Sequence, residues 1–388
     1  MIRNISVGID VGSSTTRVVV GEFLKGEKNP KVIGEGISPT LGMRHGYVVN
    51  EELVANSIKT ATLQAEKTSG IKIKKAFISL SGTTMRSEIS SGGTIISKAD
   101  GEATNLDANK ALEDCENNLN LTNRKIVRMY PLSFRLDGKE ILGRLDGLRG
   151  TKLEAKALFI TYNIAHLEDL VSAVAEAGIE TIDAIASPVA IANIVLSEKQ
   201  KIVGVALVNI GDQTTSLSVF ENGLLVSINT IPIGASDITN DIALGFRITL
   251  EQAEDLKLGN GTEEFSKKKL EEIIEARLCD IFESIETNLK KIKRAELLPA
   301  GIVFVGGGAN TPLLTELSKS ILKLPASLGT TEMFGNSKTR LREISWFTAL
   351  GLLTLDKDET RYGDDGTLVN MFRELKNSIK SSIKQLMP

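Results

Sequence analysis

Histidine and cysteine are nearly missing from this chain. Its 388 residues hold two of each: His45, His166, Cys115 and Cys279. No spaced zinc set and no disulfide framework can be assembled from them. Two distant thiols are expected to stay reduced in a cytosolic protein. Aromatics are thin as well, with twelve Phe, four Tyr and one Trp, which leaves little for stacking bases. There is no basic excess either: 46 Lys and Arg stand against 49 Asp and Glu, a formal net charge of −3. That balance argues against a dedicated nucleic-acid binder. No run approaches the ~18 uninterrupted apolar residues of a spanning helix, so a membrane role would fall to a surface-lying segment. No apolar signal core precedes a cleavage site, and the N-terminus passes directly into Val7-Gly8-Ile9-Asp10. The chain is therefore expected not to be secreted. What remains is an ordinary globular composition, 41% hydrophobic and 24% charged, in a length that suits two or three domains.

One pattern occurs twice. Asp10-Val-Gly12-Ser13-Ser14-Thr15-Thr16 returns 199 residues later as Asn209-Ile-Gly211-Asp212-Gln213-Thr214-Thr215. An apolar β-type run enters each turn, Ile5 to Ile9 and Val203 to Ile210, and a β-branched or alternating run leaves it. Each copy reads as a β-hairpin with a polar tip. Glycine lets backbone approach a ligand, and small hydroxylated neighbours leave amide N–H groups pointing outward as an anion nest. The acid or amide before the glycine can hold a hydrated divalent cation that bridges phosphates. Gly, Ser, Thr and Asp populate ordinary turns too, so one copy alone would say little. Two copies in matching strand context point to phosphate-gripping hairpins in duplicated domains.

A third glycine site follows a short buried-type strand, at Gly301-Ile-Val-Phe-Val305-Gly306-Gly307-Gly308-Ala309-Asn310. Thr311 is the expected N-cap of a following helix, with Pro312 at its first position. A strand, glycine loop and helix lay backbone against a nucleotide in many folds. This run matches neither the dinucleotide fingerprint nor the Walker A lysine motif.

Two such hairpins and a late Gly-Gly-Gly loop resemble the phosphate-1, phosphate-2 and adenosine motifs of the actin-like ATPases. Within that superfamily the chain most resembles the FtsA family of bacterial cell-division proteins, nearly end to end. The resemblance runs through Ser38 to Asn50, Lys75 to Gly82, Leu148 to Lys156, Ser187-Pro188-Val-Ala190 and Ile274-Glu275-Ala276-Arg277. It implies an α/β, actin-like fold of duplicated ribonuclease H-like lobes with an FtsA-type inserted subdomain. Residues 1–81, 162–197 and 339–355 would form the base of lobe 1, and 82–161 the insertion. Residues 198–231 and 300–338 would form the base of lobe 2, and 232–299 its upper subdomain. The periodic run from Leu270 to Ile292 reads as one long amphipathic core helix there.

The resemblance also implies ATP and magnesium as cofactors. Gly12, Ser13, Ser14, Thr15 and Thr16 would wrap the phosphates from one side, and Gly211, Asp212, Gln213, Thr214 and Thr215 from the other. Asp10 would orient a magnesium-bound water, with Asn209 its counterpart. Gly234, Gly306, Gly307, Gly308 and Asn310 would line the nucleotide, and Glu254 and Lys257 would meet ribose and adenine. Taken alone, Glu254 and Lys257 also read as a solvated i,i+3 ion pair on a helix. Relatives usually carry aspartate at Asn209, glycines at Asp212 and Gln213, and often an acid at Ser216. Asparagine brings no charge to an ion, and Asp212 sets a carboxylate near the expected phosphates. ATP binding with slow or negligible hydrolysis is the expectation, and the catalytic residue is left unassigned.

At the C-terminus, 356–367 reads as a short solvated linker, with five acids and two bases between Asp356 and Gly366. Over 368–388, Phe372, Leu375, Ile379, Ile383 and Leu386 form one helical stripe, flanked by Arg373, Lys376, Lys380 and Lys384. Four bases against Glu374 give this segment a net charge of +3. Such a helix could dock on its own body, pair with another helix or lie on an anionic membrane; an acidic tether and a basic polar face favour the membrane. In FtsA proteins this place holds a membrane-targeting helix. The resemblance implies filaments of the chain itself, FtsZ and other division proteins as partners, and a peripheral position on the cytoplasmic face at the septum. A PilM-like pilus-assembly actin, or a sugar or acetate kinase-like phosphotransferase, is the alternative.

Overall fold

The computed structural model describes residues 4–355 except 28, 142, 144, 146, 262–264 and 334–339. The linker and the amphipathic C-terminal segment expected over 356–388 lie outside the described residues. Among the described residues, no helix is long and apolar enough to cross a membrane.

In chain order the elements are β1 (Asn4–Val11), β2 (Thr15–Phe23), β3 (Lys31–Pro39), β4 (Met43–Arg44), β5 (Tyr47–Val48), α1 (Glu51–Ser69), β6 (Lys75–Leu80) and β7 (Arg86–Ile95). Then come α2 (Asn105–Asn117), β8 (Arg124–Leu136), β9 (Lys139–Glu140), β10 (Lys152–Asn163), α3 (Ile164–Glu176), β11 (Glu180–Ala186), α4 (Ser187–Val195) and α5 (Glu198–Val203). The rest is β12 (Val205–Ile210), β13 (Thr215–Glu221), β14 (Leu224–Ile231), α6 (Ala235–Phe246), α7 (Leu250–Lys257), α8 (Lys267–Lys291), β15 (Ile302–Val305), α9 (Leu314–Leu322), β16 (Ala326–Leu328) and α10 (Phe347–Leu352).

Residues up to Arg86 and Thr161–Thr354 form one compact unit, and Ser87–Ile160 form the body of a second. The first unit holds two five-stranded sheets, in the orders β3-β2-β1-β6-β11 and β14-β13-β12-β15-β16. In each, three antiparallel strands are followed by two that join in parallel. The fold is therefore duplicated strand for strand. Central strands read as continuous apolar runs because both faces are covered: Val18, Val19 and Val20 of β2 are all buried, as are Val205 to Val208 of β12. Asn50 caps α1 by accepting from Leu53 N–H at 3.1 Å, and Gly70 ends it in the left-handed region. Helix α8 buries Leu270, Ile274, Leu278, Ile281, Phe282, Ile285 and Leu289 against the second sheet, so the long apolar stripe is a core helix.

Two local expectations are corrected. Val203 does not enter the second hairpin; it ends α5 and is exposed, and the strand begins at Val205. Thr311 does not cap a helix. Gly307–Asn310 tighten into a 3-10 turn, the Thr311 hydroxyl donates to Gly308 O at 2.8 Å, and α9 starts only at Leu314.

The second unit carries the sheet β7-β10-β8-β9 with α2. Ala108, Ala111, Leu112 and Cys115 of α2 join Phe134, Leu153 and Phe159 in its core. Asp107, fully buried at the first turn of α2, accepts from Thr104 Oγ1 at 2.6 Å and Ser97 Oγ at 2.8 Å, and from both backbone amides. Burial opposes its charge, yet these hydrogen bonds outweigh it and bring the carboxyl down to about 2. Burial pushes the Cys115 thiol up to about 11.

Candidate nucleotide site

The two repeated motifs are hairpins in one register. The first closes with Gly12 N–H donating to Thr15 O at 3.1 Å, and Val11 pairs with Thr16. The second closes with Gly211 N–H donating to Thr214 O at 2.8 Å, and Ile210 pairs with Thr215. Adding 199 to each number of the first set gives the second.

Behind the first tip, Asp10 faces Arg17 across the strand pair, and its Oδ1 accepts from Ser79 Oγ of β6 at 2.7 Å. Desolvation raises the Asp10 pKa, against lowering by the Ser79 hydrogen bond and the Arg17 charge. Arg17 also lies 5.7 Å from the Trp346 ring centre. Ahead of the tip, Thr40 N–H donates to Ser14 O at 2.8 Å, and the Thr16 and Thr40 hydroxyls meet at 2.7 Å.

Behind the second tip the equivalent pair is Asn209 and Ser216. Ser216 is buried, and its Oγ meets no hydrogen-bond partner among the described residues. Three successive tip carbonyls are taken. Ala235 N–H donates to Gly211 O at 2.9 Å, Ser236 N–H to Asp212 O at 2.8 Å, and His45 Nδ1 stands 3.2 Å from Gln213 O. The first two donors are N-terminal amides of α6, groups that a helix leaves without internal partners. With its carbonyls turned to these donors, the tip leaves the amides of Asp212, Gln213 and Thr214 outside its internal bonds, as an anion nest requires. Gly234 precedes α6 so closely that a Cβ there would overlap Asp212 O.

Gly306 has φ 85°, and a Cβ on it would overlap the Asn209 side chain. The glycine loop thus sits against the second hairpin, with Gly308 packed on Ile210 and Ala235. Gly307 and Asn310 are exposed at the 3-10 turn.

The Glu254–Lys257 pair is solvated on one side only, with the Glu254 side chain 47% exposed and Lys257 buried. Lys257 is 5% exposed, and its Nζ donates to Glu254 Oε2 at 2.6 Å, Thr239 Oγ1 at 2.8 Å and Ala235 O at 3.3 Å. An ammonium has three protons, so this group is saturated. Thr239 Oγ1 is also 2.6 Å from the same Glu254 oxygen. Asp212 lies nearby; burial raises its pKa, Lys257 lowers it, and Glu254 and Asp237 raise it.

The structure therefore gathers Asn209, Gly211 to Thr215, Gly234, Glu254, Lys257, Gly306 and Gly308 around the start of α6. The first hairpin, with Asp10 and Gly12 to Thr16, is linked to them through the segment Thr40–His45. Sequence reasoning missed Arg17, Ser79, Thr239 and His45. Arg17 alone had a signal, since counting back from a closed tip pairs it with Asp10.

Two sheets repeated in one strand order, each carrying the same hairpin, define a two-lobed α/β protein of the actin-like class. PilM in the PilM–PilN type IV pilus biogenesis complex has this fold, with a TM-score of 0.68 over 90% of this chain and 98% of that one at 16% identity. So has MreB 5 of Spiroplasma citri, solved bound to AMPPNP, with a TM-score of 0.54 over 94% and 99% of the two chains at 13% identity. The sequence profile described as "Cell division protein FtsA" matches residues 206–351. Cell division protein FtsA of Bacillus subtilis is 30% identical over 369 residues, covering 89% of this chain and 82% of that one. The chain belongs to the FtsA family of cell division proteins.

Proposed function

We propose that the chain binds ATP with magnesium between its two hairpins, polymerises in that state, and ties FtsZ filaments to the cytoplasmic face of the membrane at the septum. The observation that carries nucleotide binding is the shared register of the two tips. An MreB of the same fold is solved with AMPPNP, which supports the reading.

Magnesium ATP, when bound, would bring phosphates for the two tips to hold and a cation to offset their charge. The tips at Gly12 to Thr16 and Gly211 to Thr215 would hold the phosphates, with the amides of Asp212, Gln213 and Thr214 outside the hairpin's internal bonds, and Gly234, Gly306 and Gly308 let α6 and the glycine loop close on the second hairpin. Among the described residues no three His, Cys, Asp or Glu side chains gather into a metal site. Magnesium would therefore be carried by the phosphates and met through water by Asp10. Asn209 and the unpartnered Ser216 hydroxyl offer only neutral oxygens on their side, which supports slow hydrolysis. Glu254 would meet the ribose with the oxygen that Lys257 and Thr239 do not engage.

The unit Ser87–Ile160 would be the inserted subdomain and would supply contacts for self-assembly and for other division proteins. The basic stripe at 368–388 would be the membrane anchor, with FtsZ filaments held through arrays of such tails. Electron microscopy on anionic lipid monolayers tests the reading. Filaments are expected with ATP and not without it, and deletion of 368–388 is expected to remove them from lipid. No affinity for ATP in calorimetry, or turnover matching vigorous ATPases, would refute the nucleotide part.

A further inference from the structure

The β4–β5 turn touches both halves of the first unit. His45 sits in the left-handed region, at φ 47°, where a non-glycine residue needs support from its surroundings. On one side the turn is held by the first half. Thr83 N–H donates to His45 O at 3.2 Å, and the buried Tyr162 hydroxyl lies 3.2 Å from Gly46 O and 2.8 Å from Ser81 O. On the other side it meets Gln213 at the second hairpin tip. His45 N–H donates to Gln213 Oε1 at 2.8 Å, and His45 Nδ1 stands 3.2 Å from Gln213 O, a bond that needs the hydrogen on Nδ1. Met43, Arg44, His45 and Val49 form one wall of a cleft of about 450 Å3, and Gln213, Ser236, Asp237 and Asn240 form the other.

We infer that Gln213 and His45 form a latch across the nucleotide cleft, which sets how fast nucleotide enters and leaves. The inference rests on the nucleotide reading above. Tyr162 and Thr83 keep the turn with the first half, so the two walls separate only when both Gln213–His45 bonds break. The latch residue stands next to Asp212, at the tip that faces the phosphates. His45 acts as a positioning residue for the tip.

Stopped-flow fluorescence with mant-ATP and the full chain tests this, using Gln213→Ala and His45→Asn, since asparagine tolerates the left-handed region. A weakened latch favours the open cleft, so association and release should both accelerate. The factors are roughly tenfold for Gln213→Ala and roughly threefold for His45→Asn, the scale of one net hydrogen bond. Faster release with unchanged association in Gln213→Ala, and no effect in His45→Asn, would make Gln213 a simple ligand contact and overturn the latch alone. Unchanged rates in both variants, each folded by circular dichroism, would do the same. No mant-ATP binding by the unaltered chain would overturn the latch together with the nucleotide reading.

Discussion

Asp10 faces Arg17 across the first hairpin, whereas the matching pair in the second is Asn209 and Ser216, two neutral side chains on the same register. Their neighbours differ in step. Beside Asp10 the parallel strand offers the Ser79 hydroxyl, and beside Asn209 it offers Val305 followed by Gly306. The second hairpin has its carboxylate at the tip instead, on Asp212, with Lys257 as the nearby base. A duplicated backbone thus preserves its hydrogen bonds while its charges are redistributed. The amide nest depends on main-chain geometry and tolerates that change. Ion chemistry depends on side-chain charge, and under the proposed function it would fall to Asp10 of the first hairpin.

Lys257→Met attacks the charge balance of the second hairpin and should have the largest effect. It leaves Glu254 and Asp212 without their base and should cost roughly 2 kcal/mol of stability in urea unfolding, because water screens the half-exposed Glu254. Exchanging the tip signatures comes next. Asp10→Asn should weaken binding of magnesium ATP in calorimetry roughly thirtyfold, the scale of a charge-assisted contact. Asn209→Asp should raise phosphate release several-fold. Equal effects of the two exchanges on both readouts would erase the distinction between the hairpins.

The smallest effect concerns pH. The Asp212 pKa is raised, so its contribution to stability is present below the ordinary aspartate range and is lost as pH rises through its folded value. In its charged form the carboxylate would also oppose a phosphate. ATP affinity relative to Asp212→Asn should therefore be roughly twofold lower on the alkaline side of the Asp212 titration and should converge with it as pH falls through the folded value, after screening.

The hairpins were readable because their glycines and threonines recur inside apolar runs, and the long helix because its stripe is unbroken. Partners distant in sequence were not. Ser79 meets Asp10 only through the parallel register of β6 on β1, which no local pattern fixes. Gln213 meets His45 across 168 positions. The Thr311-Pro312 pair obeys capping rules, but the glycines before it close a 3-10 turn, and that turn takes the threonine hydroxyl. The burial of Lys257 was hidden because an i,i+3 pair looks alike on an exposed and a buried helix face. The second unit was marked through the resemblance at Leu148 to Lys156 and not by a strand pattern of its own. Its longest strand, β8, interrupts its pattern with Pro131.

The amides of Ala235 and Ser236 fasten the second hairpin to α6 through main chain, and the Ser236 hydroxyl adds a bond to Asp212 O at 2.7 Å. Helix α6 is joined in turn to α8 by the Arg277–Asp241 fork, at 2.6 and 3.0 Å, and to α7 through Thr239 and Glu254. Leu244 and Leu250 stand 78% and 59% exposed at the far end of α6 and the start of α7. Helix α6 acts like a lever arm: a pull on Leu244 reaches Gly211 and Asp212 through the main chain of α6, while α7 and α8 join it through side chains. Strain on that helix would be felt at the tip of the second hairpin.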